Sequence, residues 1–299
     1  MLKAGDLVCR RSYGGDLLFR VVEADRFGKI SLRGVNYRVL ADAPQEDLIL
    51  VDELTIYRSR RENLKEIEKK MKDLSEDAAL QGLTNASGME EAEMIHPIRV
   101  LHLDGDEEYL RLCLQYYQSL GMNAAGAVIE ESRQPMEVLR LLLKYRPEML
   151  ILTGHDSILR GKDIMKLENY RSSRYFIEAV RRAREYEPDM DQLVIFAGAC
   201  QSFYEKILEA GANFASSPGR TLIHAMDPVI ISQKIATTPI DQIVRVKDLL
   251  RLTFSGEKGV GGYETRGKGR RGYPKGGDAM SRPRQMEMAL ARKRHGIGH

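Results

Sequence analysis

The sequence predicts an α/β protein with a parallel sheet covered by helices on both faces, preceded by a small β-barrel. From about residue 98, short apolar segments alternate with amphipathic segments of helical period, which is typical of a parallel sheet. Before residue 55, several short strand-like segments are separated by glycines, which is typical of a small barrel. A charged segment lies between these two regions, and a basic segment follows them.

Composition narrows the class of protein. The chain has 299 residues, of which 43% are apolar, so it can form about two domains with buried cores. It has no apolar stretch of about 18 residues that could span a membrane, and its start lacks the apolar region of a secretory signal. The three cysteines, Cys9, Cys113 and Cys200, form no disulfide or metal-binding pattern. We therefore expect a cytoplasmic protein with no membrane span, no metal and no cofactor.

The first two predicted units are a barrel over residues 1–55 and a linker over residues 56–95. The barrel segments are separated by Gly14-Gly15, Gly28, Gly34 and Pro44 and are similar to those of SH3-like barrels. The linker has a predicted helix over 56–84, because its apolar residues recur at steps of three and four. Such a helix is typical of a solvated connector with one face on a domain.

The third unit, residues 96–255, has the alternation of a doubly wound sheet. The predicted strands are 99–104, 124–130, 149–154, 192–198 and 213–217. The predicted helices are 107–120, 135–145, 173–186, one starting directly after Cys200, 227–238 and 241–254. With this element order, the predicted strand order is 2-1-3-4-5, the flavodoxin-like winding.

The last unit is a basic, Gly/Arg-rich tail over residues 256–299. It carries 11 Lys and Arg against 4 Asp and Glu, a net charge of +7, while the rest of the chain has a net charge of −4. This composition predicts a tail that is largely disordered or lies over the surface. A basic tail alone is a nonspecific signal, so nucleic acid is an unlikely partner.

Two chemically reactive residues follow neighbouring predicted strands. His155 comes after the third strand and Cys200, 45 residues later, after the fourth. In a 2-1-3-4-5 sheet these strands are adjacent, so the imidazole can accept the thiol proton and later protonate a leaving amine. A helix directly after Cys200 would favour a thiolate. The Cys200 N–H, together with Gly154 or a neighbour, is the predicted oxyanion donor.

Two more residues support this predicted site. Asp156 could orient the histidine or help to bind the substrate, and it is equally typical of a loop carboxylate. Gln201 either lines the site or begins the following helix.

The two motifs resemble those of a known class of peptidases. LILTGHD and IFAGACQS are similar to the His and Cys motifs of caspase-like (clan CD) cysteine peptidases, although here glycine precedes His155 and Asp156 follows it. This difference affects the predicted second oxyanion donor, Gly154 or a neighbour. It does not affect the pairing of His155 with Cys200. A longer resemblance, over about residues 1–274, is to the YabG family of sporulation-specific proteases. It is carried by RVLHLDGDEEYL, YRPEMLILTGHD, LVIFAGACQS, AGANFASSPGR and EKGVGGYETRG.

The resemblance implies a function. It implies a cysteine endopeptidase made late in sporulation that processes spore coat and cortex proteins and cleaves near arginine. It also implies a location in the mother-cell cytoplasm and later at the spore coat. A substrate arginine requires an acidic pocket. Asp104 ends the first predicted strand and Asp106 follows it, next to His155 in the predicted order. Asp106 is also typical of a helix cap, and Asp104 of a turn.

Two other functions fit the sequence. The GACQS segment is similar to the nucleophile elbow of glutamine-amidotransferase-like hydrolases, in which a later histidine, here His224, would be the base. A non-enzymatic adaptor that docks onto spore layers through the barrel and the tail is the other alternative. Variants of His155, His224 and Cys200 distinguish these functions.

Overall fold

The structure of the chain is a computed structural model. It describes residues 2–24, 28–80, 97–159 and 161–270. An antiparallel sheet lies near the N-terminus, and a larger, mostly parallel sheet follows. The α/β class agrees with the sequence, whereas the four domain boundaries stay predictions. Residues 81–96 of the predicted linker and 271–299 of the predicted tail lie outside the described residues.

The N-terminal sheet has five antiparallel strands. They are β1 Leu7–Arg10, β2 Phe19–Ala24, β3 Lys29–Gly34, β4 Leu40–Pro44 and β5 Leu48–Leu50. Their order is β4-β3-β2-β1-β5, and the outer strands β4 and β5 do not pair with each other. The predicted SH3-like closed barrel is therefore not confirmed, because the sheet is open. Its inward side chains, from Val8 to Leu48, form an apolar cluster of their own.

Helix α1, Glu53–Leu80, connects this sheet to the rest of the chain. One of its faces carries Ile67 and Leu74, which are 6% and 2% exposed, whereas Leu64 is exposed. Ile67 belongs to the apolar cluster of the larger sheet, so the predicted linker helix packs along one face on the α/β unit.

The larger sheet contains six strands. They are β6 Arg99–Asp104, β7 Asn123–Val128, β8 Met149–Thr153, β9 Val194–Ala197, β10 Phe214–Ser216 and β12 Val260–Gly262. The order is β12-β10-β9-β8-β6-β7; the first five strands in sequence are parallel, and β12 pairs antiparallel with β10. The predicted 2-1-3-4-5 order is thus observed, and β12 makes the sheet mixed.

Helices cover both faces of this sheet. They are α2 Glu107–Ser119, α3 Gln134–Tyr145, α4 Ser173–Tyr186, α5 Tyr204–Glu209, α6 Asp227–Thr237 and α7 Val246–Leu252. Helices α3, α4 and α5 pack on the face that holds Leu150 and Leu152, and α1, α2, α6 and α7 on the face that holds Met149 and Ile151. Because successive side chains of β8 alternate between two buried faces, the strand is apolar throughout.

Two predicted helices differ from the structure. The helix expected directly after Cys200 begins only at Tyr204, because Gln201 has a positive φ of 59°, outside the helical region. The helix expected over 241–254 is instead strand β11, Ile243–Val244, followed by the shorter α7.

Part of the predicted basic tail is regular structure. Its first residues form the short helix α8 Gly256–Gly259, then β12, then β13 Thr265–Arg266, which pairs with β11. Hydrogen bonds along a sheet edge therefore order residues that composition alone predicts to be disordered. Separately, none of the helices within the described ranges is long and apolar enough to cross a bilayer.

Candidate active site

The structure brings the loops of His155 and Cys200 together at one edge of the sheet. Strands β8 and β9 are parallel neighbours, and the two residues follow the carboxyl ends of these strands. The Ile158 N–H donates to Oε1 of Gln201 at 3.4 Å, so the two loops are in direct contact. Both candidate side chains are buried, with 8% of His155 and 1% of Cys200 exposed.

The thiol of Cys200 is protonated at neutral pH. Burial raises its pKa to about 12, although the Ile223 N–H, which donates to Sγ at 3.1 Å, acts in the opposite direction. Helix α5 begins four residues after Cys200 and has only six residues, so the expected thiolate at a helix amino end is not observed. A base must therefore remove the thiol proton before Cys200 can act as a nucleophile.

The imidazole of His155 is held at one nitrogen. Its Nε2 lies 3.0 Å from Oδ2 of Asp106. Its Nδ1 is buried and has no hydrogen-bond partner in the described part of the chain. The ring of Tyr109 lies beside it, with the two ring centres 5.8 Å apart. With Nε2–H donated to the carboxylate, Nδ1 carries the lone pair that a base needs.

Asp106 makes two kinds of contact. Its Oδ1 accepts the N–H groups of Glu108 and Tyr109, so it is the N-cap of α2. Its Oδ2 contacts His155 and lies 3.6 Å from Arg33 of β3. Burial alone would raise the pKa of Asp106, but the His155 hydrogen bond and the charges of His155 and Arg33 outweigh it and lower the pKa. The carboxylate is therefore ionised next to the imidazole.

Asp104 is fully buried and already binds a guanidinium. Nη1 of Arg38, from the loop between β3 and β4, lies 2.5 Å from its Oδ2, and the Thr153 hydroxyl donates to the same oxygen at 2.9 Å. Burial acts to raise the pKa of Asp104, but Arg38 and His102 lower it overall. The prediction that Asp104 binds the arginine of a substrate stays untested, because this chain's own arginine lies on it.

Asp156 is a cross-link between three segments and does not contact the His155 ring. Its Oδ1 accepts the N–H groups of Ser157 and Ser172 at 2.8 and 2.7 Å. Its Oδ2 accepts the hydroxyls of Ser173 and Ser202 at 2.5 and 3.0 Å. The carboxylate thereby joins the His155 loop, the start of α4 and the Cys200 loop, and burial raises its pKa despite these donors.

The turn that carries Cys200 has a restricted backbone. The Ala199 N–H donates to the Ser202 hydroxyl at 2.9 Å, and the Gln201 N–H donates to the Ser217 hydroxyl at 3.0 Å. Gln201, with φ 59°, is in the left-handed region that non-glycine residues seldom adopt. Backbone conformations of this kind cluster at functional sites.

Sequence reasoning missed Glu131, which follows β7. Its Oε1 accepts the His155 N–H at 2.6 Å. A Cβ on Gly154 or Gly105 would lie 2.1 or 2.2 Å from the same oxygen, so a side chain at either position would force the Glu131 carboxylate to move. The position of Glu131 after a strand, at the edge where the other candidates lie, was the available signal. Gly154 thus leaves space for the Glu131 carboxylate beside the His155 loop, and its predicted oxyanion role stays untested.

His224, the alternative base, has a different environment. Its Nδ1 accepts the Met226 N–H at 3.2 Å, and its ring stacks on Phe254 with centres 4.0 Å apart. Burial, and then the charge of Arg38, lowers its pKa to about 3. A group with this pKa is a weak base, so these contacts favour His155 over His224 as the base.

Within the described ranges, no three or more His, Cys, Asp or Glu side chains are placed to hold a metal ion.

Comparisons with known proteins agree with the resemblance seen in the sequence. A family model described as YabG peptidase U57 matches residues 3–274. The sporulation-specific protease YabG of Bacillus subtilis (strain 168) is 41% identical to the chain over 285 residues. This alignment covers 90% of the chain and 97% of the relative.

Proposed function

Because the chain belongs to the YabG peptidase U57 family, we propose that it is a cysteine endopeptidase in which Cys200 is the nucleophile and His155 the general base. The observation that carries this proposal is the contact of His155 Nε2 with Asp106. It leaves Nδ1 without a partner among the described residues, in the loop after β8, and Cys200 lies in the loop after the neighbouring strand β9. Asp106 is then a positioning residue for the histidine. The caspase-like, clan CD relationship is part of the same proposal.

The proposed reaction has two stages. His155 Nδ1 takes the Cys200 thiol proton as sulfur attacks the substrate carbonyl carbon, and the carbonyl becomes an oxyanion. The imidazolium then gives this proton to the leaving amine, the C–N bond breaks and a thioester remains. In the second stage, His155 removes a proton from water, hydroxide attacks the thioester, and the returned proton restores the thiol. The Asp106 carboxylate stabilises the imidazolium in both stages.

The proposed substrates are spore coat and cortex proteins, cleaved near arginine. The similarity to a sporulation-specific protease supports a role in sporulation. We place it in the mother cell and then at the spore coat. Asp104 supports the arginine preference, because this buried carboxylate already binds a guanidinium in the structure.

Co-expression with a candidate coat protein tests the proposed chemistry. We expect processing by the parent chain and by Cys9→Ser, a control that keeps Cys200, but none by Cys200→Ala. His155→Ala should lower kcat/KM by about 10²–10⁴-fold, the usual contribution of a general base. Asp106→Asn should also lower kcat/KM, because an amide does not stabilise the imidazolium.

The same variants test the alternatives. Full activity of His155→Ala together with inactivity of His224→Ala would favour the amidotransferase-like hydrolase. Processing that survives Cys200→Ala would exclude the peptidase mechanism and favour an adaptor that recruits another protease.

A further inference from the structure

The loop between β3 and β4 adds a short strand to the α/β unit beside Cys200. Residues 36–38 run antiparallel to residues 223–225, with a bridge between Tyr37 and His224. The Ile223 N–H of the same segment donates to the Cys200 sulfur. Two backbone hydrogen bonds, each 2.9 Å long, join the segments: Arg38 N–H to Ile223 O, and Ala225 N–H to Asn36 O.

The side chain of Arg38 ends in an acidic pocket at the active-site edge. The guanidinium is fully buried. Its Nη1 binds Asp104, and its Nη2 donates to the Ala225 carbonyl at 3.4 Å and to the Cys113 sulfur at 3.5 Å. Its Nε has no partner among the described residues. Asp104 also accepts the Asp106 N–H at 3.0 Å, which connects the pocket directly to the partner of His155. The pocket therefore lies next to the groups of the proposed mechanism.

This arrangement has the two parts of peptide recognition by strand addition. In that mode, main-chain hydrogen bonds to an open edge supply affinity, and side-chain pockets supply specificity. Here residues 223–225 provide the edge, and Asp104 provides a pocket for a cation with the planar shape of arginine.

Residues 36–38 contribute no side chain to the apolar cluster of the N-terminal sheet or to those of the α/β unit. The apolar cluster of the N-terminal sheet contains only residues from 2 to 48, and those of the α/β unit begin at Ile67. Polar and aromatic contacts join the two units. Arg33 pairs with Asp106 and Glu108, and Arg38 pairs with Asp104. Arg38 also donates to Cys113 Sγ and Ala225 O, the Tyr109 hydroxyl donates to the carbonyls of Gly34 and Tyr37, and the Tyr37 ring lies against His224. Polar contacts of this kind exchange for contacts with water at modest net cost.

We propose, on the basis of the function proposed above, that residues 223–225 and Asp104 form the substrate groove and that residues 36–38 occupy it as an internal substitute for an arginine-bearing peptide. A substrate then binds as an extended strand, its arginine at Asp104 and the residue two positions earlier on the Ala225 N–H. The N-terminal sheet is accordingly a gate that must move before a protein substrate binds. Only molecules with an open groove bind peptide, so the apparent affinity equals the intrinsic affinity multiplied by the open fraction.

A binding assay that needs no turnover tests this proposal. In the full chain carrying Cys200→Ala, fluorescence anisotropy measures binding of a labelled peptide amide with the sequence of residues 35–38, Val-Asn-Tyr-Arg. Adding Arg38→Ala should tighten binding by about 10-fold or more, since the competing segment loses its anchor. Adding Asp104→Asn as well should remove this gain. Arg20→Ala, which removes an arginine of the same sheet that does not contact Asp104, is the matched control and should bind like the parent.

Three results would overturn the proposal. Equal peptide affinity with and without Arg38→Ala is the first. The second is a gain that persists with Asp104→Asn. The third is loss of folding, seen by circular dichroism, in both Arg38→Ala and the milder Arg38→Lys, which would make Arg38 a permanent structural link.

A second measurement uses the segment itself. Saturating peptide should increase hydrogen exchange at residues 35–39 of the Cys200→Ala chain, and unchanged exchange would contradict displacement. The proposed function is tested by a different measurement. If coat-protein processing survives Cys200→Ala, the peptidase function is wrong, whatever the peptide-binding results are.

Discussion

At the scale of single residues, the site combines a thiol of raised pKa with an imidazole beside an ionised carboxylate. Burial keeps Cys200 protonated, so the proposed attack requires proton transfer to His155 in every turnover. The lowered pKa of Asp106 keeps a negative charge at Nε2, where it stabilises an imidazolium. In the proposed mechanism, Asp106 therefore helps His155 to accept the thiol proton.

A pH-dependent contribution to stability is expected from Asp227, the first residue of α6. Its Oδ1 accepts the Phe254 N–H at 2.8 Å, its Oδ2 has no partner among the described residues, and burial raises its pKa to about 6. The protonated form stabilises the fold fully below about pH 4, and this contribution disappears as the pH rises through about 6. Relative to Asp227→Asn, the parent should lose about 2–3 kcal/mol between pH 4 and 7.5.

Urea unfolding of both proteins across this pH range measures the difference. His102 and His224, whose pKa values are lowered by burial, lose their contribution to stability as the pH falls, so the parent profile alone mixes opposite effects. Both histidines are present in the variant, and the comparison isolates Asp227. Parallel pH profiles would contradict the prediction.

At the scale of elements, the carboxyl ends of β6, β7, β8 and β9 hold one another in place. Glu131 after β7 accepts the N–H of His155 after β8, and Asp156 binds Ser202 in the loop after β9. The predicted strand order placed His155 and Cys200 on neighbouring strands, because the element order indicated parallel neighbours. The predicted strand order did not indicate that Glu131 contacts His155, because this contact depends on how two loops pack.

Gly154→Ala should disrupt this packing. The added Cβ would displace the Glu131 carboxylate from the His155 N–H, at a cost of about 1–3 kcal/mol in the free energy of unfolding. Glu131→Ala removes the colliding atoms, so the double variant should be more stable than the sum of the two single losses predicts. Urea unfolding of the four proteins gives the coupling energy, and strictly additive losses would show that the collision is absent.

At the scale of the whole molecule, separate apolar cores are joined by α1 and by polar contacts at the site. Lys234 of α6 has a side chain only 4% exposed, and its ammonium pairs with Asp77 of α1 at 2.5 Å. This pair and Ile67 attach α1 to the α/β unit. The N-terminal sheet thereby stays tethered even when its contacts near Cys200 break.

Asp77→Ala should lower the free energy of unfolding by about 1–3 kcal/mol, because it removes the carboxylate from a buried ammonium. Glu76→Ala is the control: its pair with Lys72, at 3.6 Å, is exposed, and its loss should cost less than about 0.5 kcal/mol. Thermal and urea unfolding measure both variants. Equal effects of the two substitutions would show that burial of Lys234 does not matter.

The sequence by itself determined the α/β class, the 2-1-3-4-5 strand order, the helix covering and the placement of His155 and Cys200 after adjacent strands. These features follow from local periodicity, caps and connection lengths, which residues within a few positions of one another specify. Only the tertiary structure decided that Asp106 contacts His155, that the Glu131 carboxylate packs against Gly154 and that Arg38 lies on Asp104. The last pair is 66 positions apart in the chain, and no local pattern encodes such a contact; it exists because folding brings two buried, oppositely charged groups together.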